Sequence, residues 1–136
     1  MLRPTKILVP TDFSEYSNKA LRQAFDIAKQ YKAKVYVLHV VDGGSYYDDL
    51  EKQMIEGARK KLQEEIDKFP QTKELEVFTQ VVSGNTSEAI LTEERRKGID
   101  LIVIASLGQS GIAKYLIGSV ARNVLKEAKC PVLLTK

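Results

Sequence analysis

Cysteine and histidine each occur once in the 136 residues, as Cys130 and His39. A single cysteine excludes an internal disulfide. A single histidine excludes a histidine-cluster metal site within the chain and most histidine-based nucleophile systems. Cys130 stands before Pro131 in a small apolar context with no histidine nearby in sequence, the setting of a structural thiol rather than a reactive one. No apolar run approaches membrane-spanning length, and no basic stretch followed by an apolar one opens the chain, so we expect a cytoplasmic protein with no membrane partner. The formal charge of +3 is mild, and the largest basic cluster, Arg95, Arg96 and Lys97, reads as a helix end. It is no footprint for nucleic acid. No carboxylate cluster marks a dedicated metal site.

What is present is a folded protein's balance, 43% hydrophobic and 29% charged residues, at a length that suits one domain over residues 1–136. The stretch from Asp100 to Thr135 organises the rest. Leu101 to Ala105 is a continuous apolar run, a strand buried on both faces. A loop with Gly108 and Gly111 follows. Gly118 and Ser119 then precede Val120, Val124, Leu125 and Ala128, a stripe of helical period with Ser119 as its cap. Nothing acidic lies between Leu101 and Glu127, whereas Lys114, Arg122 and Lys126 do. A helix start of this kind accommodates phosphate, and glycines used only as turns are the plain alternative.

Taken in order, KILVPT at 6–11 is a short buried strand ended by Pro10, with Asp12 just beyond it. Ser14 caps a helix whose stripe is Leu21, Ala24, Phe25, Ala28 and Tyr31. Asp12 is either a second capping or turn residue or a ligand group at a strand's carboxyl end. KVYVLHVV at 34–41 is a second strand. His39 inside it reads first as a core histidine bonded to backbone or a neighbour, and second as a ligand contact. A backbone pair at Val40 and Val41 would suit a purine edge. After Gly43, Gly44 and Ser45, the helix stripe is Leu50, Met54, Ala58, Leu62, Ile66 and Phe69, with Glu56–Lys60, Lys61–Glu65 and Glu64–Lys68 as surface pairs. Tyr46 and Tyr47 stand where they would cover a pocket, or where the chain is loose. Leu75 to Val82 is an edge strand, Asn85 with Glu88 resembles a capping box, and the following helix ends at Gly98. Pro131 to Thr135 is the last strand, with Leu133 at its middle, and its outer edge needs a partner. A two-fold copy would supply one.

Strands and helices alternate with short loops. We therefore expect an α/β fold: a doubly wound, five-stranded parallel sheet in three α/β/α layers, order 3-2-1-4-5. The exits of strands 1 and 4 are then adjacent at the topological switch, which brings Asp12 to the Gly108 loop.

The residues named so far make the chain resemble the universal stress protein family. ILVPTDFSEYSNKAL at 7–21, LHVVD at 38–42, SGNTSEAI at 83–90 and above all GQSGIAKYLIGSVARNVLKEAKCPVLL at 108–134 carry the resemblance. It spans nearly the whole chain and is weakest from Gly43 to Glu74. Members that bind ATP carry glycine, two residues, glycine, nine residues, then glycine and a small hydroxyl residue. Here Gly108 and Gly118–Ser119 fit that spacing, and Ala105 replaces the first glycine. Leu107 stands where the family often has histidine, and Gly111 is common within the spacer. If the missing glycine served close approach, one methyl is tolerable; if it needed positive φ, alanine is costly.

The resemblance implies that Pro10, Thr11 and Asp12 line the nucleoside side and that the Val41 backbone meets adenine. It places Gly108, Gln109, Gly118, Ser119 and Val120 around ribose and phosphates. The implied ligand is ATP, or ADP or AMP, with Mg2+ bridging phosphates, and the implied assembly is a homodimer through the last strand. The implied role is a nucleotide-dependent switch in stress adaptation, acting on an unknown protein partner. An enzyme is a second reading, with Asp12 orienting water for slow hydrolysis. The chain has no GxxxxGK[ST] loop and no evident base–nucleophile pair to support fast turnover. A dimeric scaffold that binds no nucleotide is a third, and Ala105 is its support.

Overall fold

In the computed structural model, residues 3–42, 48–107 and 117–136 are described. Five parallel strands form one sheet in the order β3-β2-β1-β4-β5. They are β1 (Lys6–Pro10), β2 (Lys34–Asp42), β3 (Val77–Gly84), β4 (Leu101–Ala105) and β5 (Val132–Thr135). Four helices alternate with them: α1 (Glu15–Tyr31), α2 (Asp48–Asp67), α3 (Thr86–Lys97) and α4 (Ser119–Glu127). A 3-10 turn at Pro70–Glu74 separates α2 from β3, so that strand starts at Val77 rather than Leu75.

Side-chain alternation divides the core into two layers. Ile7, Val9, Val35, Val37, Leu101 and Val103 pack with Ala24, Phe25 and Ala28 of α1 and Leu62 and Ile66 of α2. Leu8, Leu38, Ile102 and Ile104 point the other way, to Ile90 of α3 and Ala121 and Val124 of α4. The apolar runs read from the sequence are therefore strands covered on both faces, and the three-layer α/β/α expectation holds.

The helix ends follow their capping residues. Ser14 Oγ accepts from Ser17 N–H at 3.2 Å, and Asn85 Oδ1 accepts from Glu88 N–H at 3.0 Å. α3 closes on Gly98 at φ 66°, with Arg95, Arg96 and Lys97 in its last turn. Between α3 and β5, buried Glu94 accepts from the N–H groups of Lys129 and Cys130, both at 2.8 Å.

Three expected stripes are corrected. In α2, Leu50 is 50% and Met54 45% exposed, while Leu62 and Ile66, with Phe69 just past the helix, are buried and Ile55 packs against them. Steps of four residues drift about 40° each around a helix, so a run of fours from Ile66 back to Leu50 turns away from the core. Tyr31 at the end of α1 is 44% exposed, and in α4 Ala121 is buried while Leu125 faces out. Surface ion pairs fall one residue closer than expected, as Glu56–Arg59 at 3.6 Å and Glu65–Lys68 at 3.0 Å. Lys61 lies instead over the Phe13 ring, 4.7 Å from its centre.

Candidate functional site

β1 pairs with β2 on one side and β4 on the other, so successive connections leave its two sides in opposite directions. A cleft opens at the carboxyl ends of β1 and β4, the place where open α/β sheets bind ligands. Among the described residues it encloses about 240 Å3. Pro10, Thr11 and Asp12 form its β1 side, and Ala105, Ser106 and Leu107 its β4 side. Gly118, Ser119 and Val120 close it from α4, Val40 from β2, and Thr86 and Ile90 from α3.

The start of α4 packs tightly on the backbone just past β4. The Gly118 N–H donates to the Ser106 carbonyl at 2.6 Å, and the first intrahelical bond runs from the Arg122 N–H to the Gly118 carbonyl at 3.0 Å. The N–H groups of Ser119, Val120 and Ala121 precede that bond and have no acceptor within the helix. They are the donors, with the positive end of the helix dipole, that an anion in the cleft would meet. Among the described residues no side chain caps this helix: Gly118 takes the N-cap position, and Ser119, the expected cap, is its first residue. Gly118 has an ordinary φ of −77°, so space rather than conformation calls for glycine. A Cβ there would stand 3.3 Å from the Ser106 carbonyl oxygen and 4.0 Å from Leu107 Cα.

Ala105 resolves the question its sequence position raised. It is the last residue of β4 and lines the cleft, and it is not among the described non-glycine residues with positive φ. Its methyl adds bulk at the cleft wall without backbone strain.

On the β1 side, hydrogen bonds fix the chain residue by residue. Thr11 N–H donates to the Leu38 carbonyl at 2.9 Å. Its hydroxyl lies 3.0 Å from Ser17 Oγ, both groups buried, and accepts from Phe13 N–H at 3.1 Å. Asp12 Oδ1 accepts from Ser14 N–H at 3.0 Å, so the turn and capping role read for Asp12 is present at the cleft itself. His39 is bonded to backbone, its Nδ1 lying 2.8 Å from the Thr11 carbonyl.

Several expectations are placed elsewhere. The Val41 side chain is buried in the α1–α2 layer and does not line the cleft, because alternation sends Val40 to the cleft side. Arg122 and Lys126 are exposed on α4 and are not lining residues. The favourable field for an anion therefore comes from backbone in the described part of the wall. Gly108, Gln109 and Gly111 lie outside the described residues, as do Lys114, Tyr46 and Tyr47. Sequence reading missed Ser17, Thr86, Ile90 and Ser106 as lining residues. Thr86 had a signal, since it directly follows the Asn85 cap; Ser106 had the spacing to Gly108.

Among the described residues, no group of three or more His, Cys, Asp or Glu side chains is placed to hold a metal ion. Asp12 is the only carboxylate of the cleft wall described, a donor set that suits a cation held mainly by ligand oxygens. Cys130 is a structural thiol: burial first, then its hydrogen bond to Glu94 and that carboxylate's charge, push it up from 9.0 to about 12. No described helix is long and apolar enough to cross a membrane.

The chain is 31% identical over 138 residues to the universal stress protein MJ0531 of Methanocaldococcus jannaschii, covering 96% of this chain and 81% of that one. The solved structure of MJ0577, a universal stress protein of the same organism, superposes with a TM-score of 0.86 at 29% identity, covering 99% of this chain and 97% of that one. The universal stress protein of Archaeoglobus fulgidus, solved in complex with dAMP, shares the fold with a TM-score of 0.65 at 24% identity, covering 99% of this chain and 100% of its own. The family model described as "Universal stress protein family" matches residues 4–136, and the chain belongs to that family.

Proposed function

We propose that the cleft binds an adenine nucleotide, ATP or else ADP or AMP. The domain, residues 1–136, then works in the cytoplasm as a nucleotide-dependent switch in stress adaptation. The carrying observation is the start of α4, whose residues Gly118, Ser119, Val120 and Ala121 line the cleft and whose first N–H groups have no acceptor within the helix. The nucleoside would lie against Pro10, Thr11 and Val40, with the Val41 backbone at the base edge and Asp12 near the sugar or phosphates. Gly108, Gln109 and Gly111 would complete the phosphate side. Mg2+ would bind phosphate oxygens, with Asp12 the chain's one described candidate to assist it. The relative from Archaeoglobus fulgidus was solved with dAMP, a ligand of this chemical class.

A second reading rests on Ala105, whose methyl occupies cleft wall where the nucleotide-binding pattern has glycine. On that reading the chain is a dimeric scaffold that binds no nucleotide. On the first reading hydrolysis is at most slow, for the cleft wall described offers a carboxylate and hydroxyls but no charged phosphate clamp. Calorimetric titration of the purified protein with ATP and Mg2+ separates the two. Saturable binding at micromolar to submillimolar ATP is expected. No heat and no thermal stabilisation at millimolar ATP would leave the scaffold.

A further inference from the structure

Asp12 is flanked by two residues that meet the same side chain. Its predecessor Thr11 has its carbonyl 2.8 Å from His39 Nδ1. A carbonyl only accepts, so Nδ1 carries the hydrogen. Its successor Phe13 lays its ring on the His39 ring, with centroids 4.3 Å apart and planes 33° from parallel. Phe13 also has φ 68°, the left-handed region that a bulky side chain rarely adopts. That backbone state persists only where the surroundings hold it. His39 meets its ring, and so does Lys61 of α2, whose Nζ lies 4.7 Å from the ring centre. The result of this turn is the Asp12 carboxylate accepting from Ser14 N–H at the cleft mouth.

His39 itself does not line the cleft. Its neighbours Leu38 and Val40 do, and alternation along β2 turns the imidazole toward the opposite layer. Among the described residues it reaches the site through the backbone on one side of Asp12 and the ring on the other. We infer that His39 is the positioning residue for Asp12, holding the β1 exit in its ligand-ready shape from behind the sheet. This rests on the proposal that the cleft binds adenine nucleotide, but the geometry of the turn can be tested without any ligand.

Two substitutions divide the contacts. His39→Phe keeps a stacking ring and removes the donor. His39→Asn keeps a donor near the place of Nδ1 and removes the ring. A third variant, Phe13→Gly, removes the stack while leaving β2 intact and suits the positive φ. The readouts are amide hydrogen exchange at Phe13 and Ser14, followed by NMR, and calorimetric titration with ATP and Mg2+. In His39→Phe, exchange at Ser14 should quicken about tenfold while Val9 and Val37 stay protected, and ATP affinity should fall about tenfold, the size of one lost hydrogen bond. His39→Asn should restore both to within about threefold. Phe13→Gly, which like His39→Asn loses the stack and keeps the donor, should quicken exchange at Ser14 and weaken ATP by about threefold. Unchanged Ser14 exchange in both His39→Phe and Phe13→Gly overturns the inference. So does faster exchange with unaltered ATP affinity, which would leave His39 a fold residue only. If His39→Phe does not fold, Phe13→Gly decides alone. If the wild type shows no affinity for ATP, the nucleotide reading fails, and the exchange rates still decide whether His39 fixes the turn.

Discussion

The Ser106 carbonyl accepts from Gly118 N–H, and a side chain at 118 would press on that same oxygen from 3.3 Å. Both atoms are backbone, so relief requires the start of α4 to move, and with it the N–H groups proposed to meet phosphate. Gly118→Ala should weaken ATP about tenfold. Gly118→Val, branched at Cβ, should abolish detectable binding while circular dichroism stays native. Unaltered affinity in a folded Gly118→Val protein would remove the α4 start from the site. Cys130 makes a different prediction. Its thiol is pushed up to about 12 from 9.0 by burial and by Glu94, so its neutral form is the one the fold favours. The folded state then holds a proton that the unfolded chain releases, and this contribution is complete below pH 9.0 and lost as pH rises toward about 12. Cys130→Ala should flatten the fall in stability over that alkaline range, measured by urea unfolding at stepped pH. Iodoacetamide at pH 8 should label folded wild type on the order of a hundredfold slower than unfolded chain.

Among the elements, α2 separates what looks apolar from what is packed. Leu62 is buried against the sheet and Phe69 closes an edge contact with Phe25, ring centroids 5.3 Å apart. Leu50 is half exposed on the first turns. Leu62→Ala should cost about 2–5 kcal/mol, and Leu50→Ala less than about 1 kcal/mol. Equal losses in denaturant melts would mean that the first turns of α2 are packed in solution. The helix caps, by contrast, were legible. Ser14, Asn85 and Gly98 act within a few residues of their own positions, and so their roles can be read from short stretches. Ser119 was misplaced by one position because both Gly118 and Ser119 are good caps. The choice fell to the Gly118–Ser106 bond across the loop, which no local pattern encodes.

For the whole molecule, β5 leaves one edge of the sheet without a described strand partner, and all of its residues are half-buried. We propose that a second copy pairs there about a two-fold axis, with Leu133 near the centre. Light scattering at tens of micromolar should give twice the chain mass of 15.3 kDa. A chain that stays monomeric over that range would sink the pairing. The edge also ties to the cleft, because Ser106 N–H donates to the Thr135 carbonyl at 2.8 Å while the Ser106 carbonyl receives Gly118.

The sequence by itself determined the alternation of strands and helices, their order in the sheet, the Ser14, Asn85 and Gly98 caps, and the meeting of the β1 and β4 exits. Periodicity states that a face must be covered, and handedness with short loops leaves few ways to cover it. Only the tertiary structure decided what covers each face. It turned Val40 to the cleft and Val41 away, brought Ser17, Thr86 and Ser106 into the wall, and set His39 behind Asp12. Such contacts join residues far apart in the chain, and their geometry depends on sub-ångström packing of whole layers rather than on any residue's own preference.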